Sequence, residues 1–432
     1  METLSDYLSF GFQSSLRMAH SGMVFTGKAA SILTKIAQGK ADHREIATSL
    51  REAFESLGAT YIKLGQFIAS APSLFPKEYV EEMQKCLDSV RPLDFRDIRS
   101  TVERELGGKL EEVFFQFEEI PLASASIAQV HGAVTKEGLD VVVKVQRPDI
   151  QTTLKTDMQI LGLLTKILGW IAPEFKKSGL TAMFEEFQTS ILSEIDFIQE
   201  AQNIEEFEEY LLDVRETRAR VPRVYHTLST KKVLTMERFH GVPITDEKGL
   251  KKYSDNPRKV LNDALEVWFS SLAKKGFFHA DVHAGNLMIL KDGTIGFIDF
   301  GIVGRISPKV WKGLLLFTQG IGIGEPMLVA QGLVAMDSTD SGVSPSLLAK
   351  ELNDVFSELE NVYESISENQ MFDETKLNRI MYDLKDIAEK NGLKIPREFA
   401  LLMKQMLYFD RYVKSMAPEI NLFKDTSRFV TN

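Results

Sequence analysis

The chain has 432 residues and a formal net charge of −10, long enough for roughly two to three domain-sized units. An apolar fraction of 44% and a charged fraction of 26% are those of an ordinary globular protein, and the acidic balance argues against a nucleic-acid partner, which selects for a basic surface. The single cysteine, Cys86, excludes an internal disulfide and a multi-cysteine zinc site; its helical context reads as a small buried apolar residue.

The start, Met1-Glu2-Thr3-Leu4-Ser5-Asp6, lacks the basic-then-apolar layout of a signal peptide. Ile160–Ala172 is interrupted by Lys166, and Gly313–Met336 by Glu325 and several glycines, so neither reads as a membrane span. A cytoplasmic or peripheral membrane protein is expected. Peripheral contact would fall to Leu8, Phe10 and Phe12, or to Met18, Met23 and Phe25, residues that packing explains more simply.

Residues 1–112 read as a helical extension. Leu33, Ile36, Ile46, Leu50, Phe54 and Leu57 recur at helical spacing, Pro72, Pro76 and Pro92 punctuate the run, and Asp94 is placed to cap a helix reaching Leu106. Residues 113–240 read as a small antiparallel sheet with inserted helices. Phe114–Phe117, Ile127–Val134 and Val141–Val145 are short and β-rich, Ile150–Leu212 carries two long helical patterns, and Pro222–Tyr225 and Val233–Glu237 read as further strands. Residues 241–432 read as a mainly helical lobe. It opens with a helix over Val260–Lys275, continues with strands at Leu287–Leu290 and Ile295–Asp299 joined through Asp292-Gly293, and is helical from Pro308 onward. A Rossmann sheet would need strands and helices in regular alternation, which this order lacks.

The chemistry concentrates in His279-Ala280-Asp281-Val282-His283-Ala284-Gly285-Asn286, followed after the hairpin by Ile298-Asp299-Phe300-Gly301. This is the order and spacing of a protein-kinase catalytic segment. A carboxylate that takes or orients the proton of an attacking hydroxyl suits Asp281. A neutral amide oxygen and a second carboxylate that hold Mg²⁺ against nucleotide phosphates suit Asn286 and Asp299. ATP and Mg²⁺ are thus the expected cofactors, with His279 as a strut and His283 near the phosphates or orienting the loop. His279, Asp281 and His283 also alternate like a hydrolytic metal triplet. Against that, His20, His43, His131, His226 and His240 form no second cluster, and the triplet leaves Asp299-Phe300-Gly301 unexplained.

Lys144 lies inside the apolar run Val141–Val145, where an ammonium is costly unless a counter-charge or ligand meets it. Kinases place such a lysine against the α/β-phosphates. Where a glycine-rich phosphate loop belongs, the chain reads Ala123-Ser124-Ala125-Ser126-Ile127-Ala128. Alanine disfavours positive φ, so this loop must take another path, with the Ser124 or Ser126 hydroxyl placed to supplement backbone N–H groups.

This combination resembles the UbiB/AarF family of atypical kinase-like proteins, over roughly Ala59 to Ile306. Lys63-Leu64-Gly65-Gln66 matches the family's Lys-x-Gly-Gln signature, Ala123–Ala128 its alanine-rich loop, and Ser193–Ala201 its Glu-x-Asp helix, with Asn203 at the expected offset. Val282 and Ala284 depart from the prolines common in the family's loop, which makes the loop less rigid but removes no ligand. The resemblance implies an α+β, two-lobe kinase-like fold in which Glu200 partners Lys144 and Lys63 meets Glu194. Gln66 and Asp196 belong to the family motifs, and Asp196 could equally cap its helix. It further implies an atypical kinase or ATPase tied to ubiquinone or other isoprenoid-lipid metabolism, with a quinone precursor, an isoprenoid lipid or lipid-biosynthesis proteins as partners. A small-molecule kinase of the aminoglycoside or choline type, and a non-catalytic nucleotide-gated scaffold, are the alternatives.

Overall fold

A computed structural model describes residues 17, 23–24, 27, 42–69, 76–86, 92–171, 180–244, 246–254, 256–282, 285–367 and scattered positions between 383 and 409. Leu8, Phe10, Phe12, Met18, Phe25 and His283 lie outside the described residues. The chain divides into two units: one holds 1–208, 221–240 and 296–302, the other 209–220, 241–295 and 303–432.

The first continuous elements among the described residues are α1 (His43–Leu57), α2 (Ala59–Ala69) and α3 (Lys77–Met83), all in the first unit. A Cβ on Gly65 would stand 2.6 Å from the Cys86 Sγ and 3.2 Å from the Met83 Sδ, so glycine is what lets α2 lie this close to the end of α3. Then come α4 (Phe95–Leu106) and the short α5 (Leu110–Val113). Asp94 caps α4 by accepting from the Arg96 N–H, and Gly107, at φ 72°, ends it.

The strands β1 (Phe114–Phe117), β2 (Ala123–Ser124), β3 (Ala128–Thr135) and β4 (Asp140–Gln146) follow. After them in the chain come α6 (Ile150–Ile171), α7 (Leu180–Ser193), α8 (Phe197–Asp213, its last residues from 209 counted with the second unit), β5 (Ala219–Arg220, of the second unit) and β6 (Val233–Glu237). An antiparallel sheet runs β1–β3–β4–β6, with β2 also on β3. Alternation along β4 explains its two roles. Val141, Val143 and Val145 face a core with Ile98 and Val102 of α4 and with Phe114, Ala133 and Val233. Burying each such side chain contributes about 1.5–3 kcal/mol. The intervening positions, Lys144 and Gln146, take the other face.

α6 is tied down by Asp157, which is fully buried and accepts from the Arg17 guanidinium at 2.8 Å and the Thr60 hydroxyl at 2.5 Å. Two expectations need correcting. Among the described residues the helical run after Ile150 comprises three helices, the last started afresh because the Asp196 carboxylate accepts from the Ile198 and Gln199 N–H groups. Pro222–Tyr225 makes only an isolated bridge, Val224 to Met236, since proline brings no N–H and the chain turns at once into a 3₁₀ turn over His226–Leu228.

The second unit takes up the chain at β7 (Gly241–Pro243), α9 (Glu247–Tyr253) and α10 (Pro257–Lys275). α10 starts earlier than its apolar periodicity suggests, because Asn256 caps it ahead of Pro257. Next in the chain are β8 (Phe277–His279), β9 (Leu287–Leu290), β10 (Ile295–Phe297, from residue 296 counted with the first unit) and β11 (Val303–Arg305). β7, β8 and β11 escape the sequence pattern because three residues are too few to show alternation. β8 pairs antiparallel with β11, placing His279 opposite Val303. Gly293 at φ 84° makes the turn after β9. α11 (Pro308–Ile323), α12 (Pro326–Ala335) and α13 (Pro345–Ser367) close the unit around Val329, Ala330, Leu348, Ala349 and Leu352. No helix among the described residues is long and apolar enough to cross a membrane.

Candidate nucleotide site

In the first unit, β4 presents the Lys144 ammonium to α8. Its Nζ donates to both Glu200 oxygens, at 2.8 and 3.0 Å, and to Asp299 Oδ1 at 3.0 Å, with the Phe197 ring 5.3 Å away. Burial works against the ammonium, but Asp299 and Glu200 outweigh it and hold the lysine charged. Burial also pushes Glu200 up to about 7; Lys144 opposes the shift and Asp299 reinforces it. Two carboxylates around one ammonium leave this cluster with excess negative charge. Asp299 has φ 62°, a left-handed conformation that costs a non-glycine residue of order 1–3 kcal/mol and that ends β10 before Asp299 rather than after it.

The helical extension reaches the same cluster. Lys63 on α2 donates to Glu194 at 3.2 Å, with its nearest carboxylate oxygen at 2.9 Å. Glu194 in turn lies against the Asp-Phe-Gly turn, 3.8 Å from where a Cβ on Gly301 would be. Gln66 sits one turn after Lys63 on the same face of α2, half-buried. Asp196 is the cap of α8 and reaches Lys144 only through the helix it starts.

The alanine loop folds back on itself. Ala123 pairs with Val130 and Ser124 with Gln129, while the Ala125 N–H donates to the Ala128 carbonyl. Arg147, just past β4, clamps it: the guanidinium donates to the Ala125 carbonyl and to the Ser124 hydroxyl, each at 2.9 Å, and the Arg147 N–H donates to the Ile127 carbonyl. The Ser126 hydroxyl is buried without a hydrogen-bond partner among the described residues. Ser126 and Arg147 border a cavity of about 370 Å³ that Lys144, Glu200 and Asp299 do not line.

In the second unit, Asp281 and Asn286 come together. Asn286 is buried and donates its Nδ2 to the Asp281 carbonyl at 2.9 Å, which leaves its Oδ1 as the acceptor. His279 is fully buried; its Nδ1 meets the Asp281 N–H at 3.2 Å, and its carbonyl accepts from the Trp268 indole at 2.8 Å. His279 is thus a strut.

A family model, the ABC1 atypical kinase-like domain, matches residues 85–322, more than half of the chain. The chain belongs to the UbiB/AarF (ABC1) family of atypical kinase-like proteins. Among its UbiB/AarF relatives is an uncharacterized chloroplastic aarF domain-containing protein kinase of Arabidopsis thaliana, 44% identical over 87% of this chain and 73% of that protein. An uncharacterized protein of Mycobacterium tuberculosis is 31% identical over 95% of this chain and 82% of its own. A probable protein kinase UbiB of Erwinia tasmaniensis is 29% identical over 90% and 70%.

Four buried polar side chains, Gln146, Gln129, His131 and Gln405, were not singled out as functional from the sequence. Gln146, two residues after Lys144 and on the same face, donates to the Ile195 carbonyl at 2.6 Å and the Lys231 carbonyl at 2.9 Å, fixing the loop that carries Glu194. His131 and Gln129 form a buried chain: His131 Nδ1 meets the Glu118 carbonyl at 2.9 Å, its Nε2 meets the Gln129 amide at 3.3 Å, and Gln129 accepts from the Leu93 N–H. Gln405 brackets the Val282 peptide, accepting from its N–H at 2.9 Å and donating to its carbonyl at 2.6 Å. A polar residue inside an apolar strand was the available signal for Gln146. Nothing local marks Gln405.

Proposed function

We propose that the chain binds ATP with Mg²⁺ and uses it for phosphoryl transfer or ATP hydrolysis in support of ubiquinone or other isoprenoid-lipid metabolism. In this reading residues 1–112 form a helical cover, 113–240 the nucleotide-binding lobe and 241–432 the catalytic lobe. The observation that carries it is Lys144 held between Glu200 and Asp299, at 2.8 and 3.0 Å, in a cluster with excess negative charge. Such a cluster gains by admitting a hard cation, and the donors present, a carboxylate on Asp299 and the amide oxygen of Asn286, are the oxygen ligands that Mg²⁺ prefers.

Lys144 would meet the α/β-phosphates, with Glu200 fixing its ammonium. Asp299 and Asn286 would hold Mg²⁺, whose charge offsets that of the phosphates. Ala123, Ser124, Ala125, Ser126 and Ala128 would cover the nucleotide. Asp281 would orient the hydroxyl of an acceptor or of water and take its proton. Lys63, Gln66 and Glu194 would close the site to a large protein acceptor, so a small or lipid-borne acceptor, or water, is favoured. The metabolic assignment rests on the family alone.

The test compares ATP hydrolysis by the wild type and by Asp299→Asn, with and without lipid vesicles or a phenolic quinone precursor. Turnover by the wild type that Asp299→Asn abolishes is the expected result. Equal, negligible rates beside tight Mg·ATP binding would sink the enzymatic reading in favour of a nucleotide-gated scaffold. Stimulation by an aminoalcohol would point to a small-molecule kinase.

A further inference from the structure

We propose that Asn203 is a positioning residue that sets the Asp299 carboxylate for its cation, an inference that rests on the Mg·ATP reading above. Asn203 is 2% exposed, and its Nδ2 donates to the Phe300 carbonyl at 2.8 Å. Its amide is held the right way round, because Gln199 Nε2 donates to Asn203 Oδ1 at 3.1 Å. An amide whose oxygen is occupied by a donor must present its NH₂ to the carbonyl.

The placement along α8 gives this bond its consequence. Glu200, Asn203 and Phe207 fall three and four residues apart, on one stripe of the helix. Glu200 anchors Lys144, Asn203 anchors the Phe300 backbone, and the Phe207 ring packs on the Phe300 ring at 5.2 Å. One helix therefore fixes both the lysine and the residue that follows Asp299. Asp299 itself is in the left-handed region at φ 62°, a conformation that persists only where neighbours enforce it. Asn203 supplies that constraint on the carboxyl side of Asp299, while Lys144 holds the side chain at 3.0 Å. With the Phe300 carbonyl released, the Asp299 backbone can relax and carry its carboxylate away from the cation position. Lys144 and Glu200 would still receive the phosphates.

The readout is the ratio of ATP affinity in excess MgCl₂ to that in EDTA, measured by calorimetry on the full chain. Asn203→Leu keeps the branched side-chain skeleton and removes the donor; Asn203→Asp turns an acceptor toward the carbonyl. In both, the Mg²⁺ enhancement should fall at least about tenfold while affinity in EDTA stays within about twofold. Gln199 is exposed, so Gln199→Ala folds regardless, and by freeing the Asn203 amide it should cost about two- to threefold in the same ratio. An unchanged ratio in the variants would overturn the assignment alone. Equal losses with and without metal, accompanied by a lower melting temperature, would reduce Asn203 to a packing residue and overturn it too. A wild type that shows no Mg²⁺ enhancement would remove the metal reading beneath it.

Discussion

In the first unit the central side chain, Lys144, is surrounded by charge: Glu200 and Asp299 meet it directly, and Lys63 with Glu194 stand beside the same turn. In the second unit Asp281 lies on a backbone held by neutral groups, the Trp268 indole, the Asn286 amide and the Gln405 amide. Charges held chiefly by one another can exchange partners when a charged ligand arrives. Neutral amides locked onto peptide groups have no such reason to move. The first arrangement suits a region that must receive polyanion and cation; the second suits one that must hold a loop still.

The largest effect should come from breaking the charged cluster. Glu200→Leu removes one of the two carboxylates that meet a buried ammonium and should cost about 3–5 kcal/mol in urea unfolding. Combining it with Lys144→Met should restore most of that stability without restoring nucleotide affinity, since a buried pair is replaced by apolar groups of similar size. A double variant as unstable as the single one would contradict the charge argument. On the neutral side, Gln405→Leu leaves the Val282 N–H and carbonyl without their partner and should cost about 1–3 kcal/mol. Hydrogen exchange at the Val282 amide should quicken in this variant and not in Glu200→Leu.

The buried chain through His131 extends the comparison to pH. Burial lowers the His131 pKa below 6.5, outweighing the Glu118 carbonyl that favours its charged form, so the folded protein binds the proton less readily than the unfolded chain does. Stability from this site is complete above about pH 6.5 and declines as pH falls from there through the folded value. The urea midpoint should track that decline, and His131→Phe should remove this part of it. A pH profile unaffected by the substitution would mean that His131 does not titrate on unfolding.

The change along the chain from helical to β-rich and back to helical stretches was legible because each carries its own hydrophobic period over enough residues to show. Lys144, Asp281, Asn286 and Asp299 stood out because charge in an apolar strand and a fixed spacing of acid and amide are local signals, and the structure brings Lys144 onto Asp299 and Asn286 onto the Asp281 carbonyl. The pairing of Glu200 with Lys144 was not legible from α8 alone, where Glu200 is one acid among several; it came through the family motif. Gln405 was out of reach for a different reason. Its partner is a peptide group 123 residues away, and peptide groups leave no mark in a sequence. The break at Asp196 shows the converse: a capping aspartate can interrupt a run whose apolar periodicity continues across it.

Gly65 brings α2 down onto the sulfur of the chain's only cysteine. Burial pushes the Cys86 thiol up to about 11, so at neutral pH it is both shielded and protonated. A thiol reagent at neutral pH should therefore modify Cys86 slowly, at a rate set by how often the packing around it opens. Titrating Mg·ATP against that rate would read, without any introduced probe, whether the nucleotide changes the opening around α2.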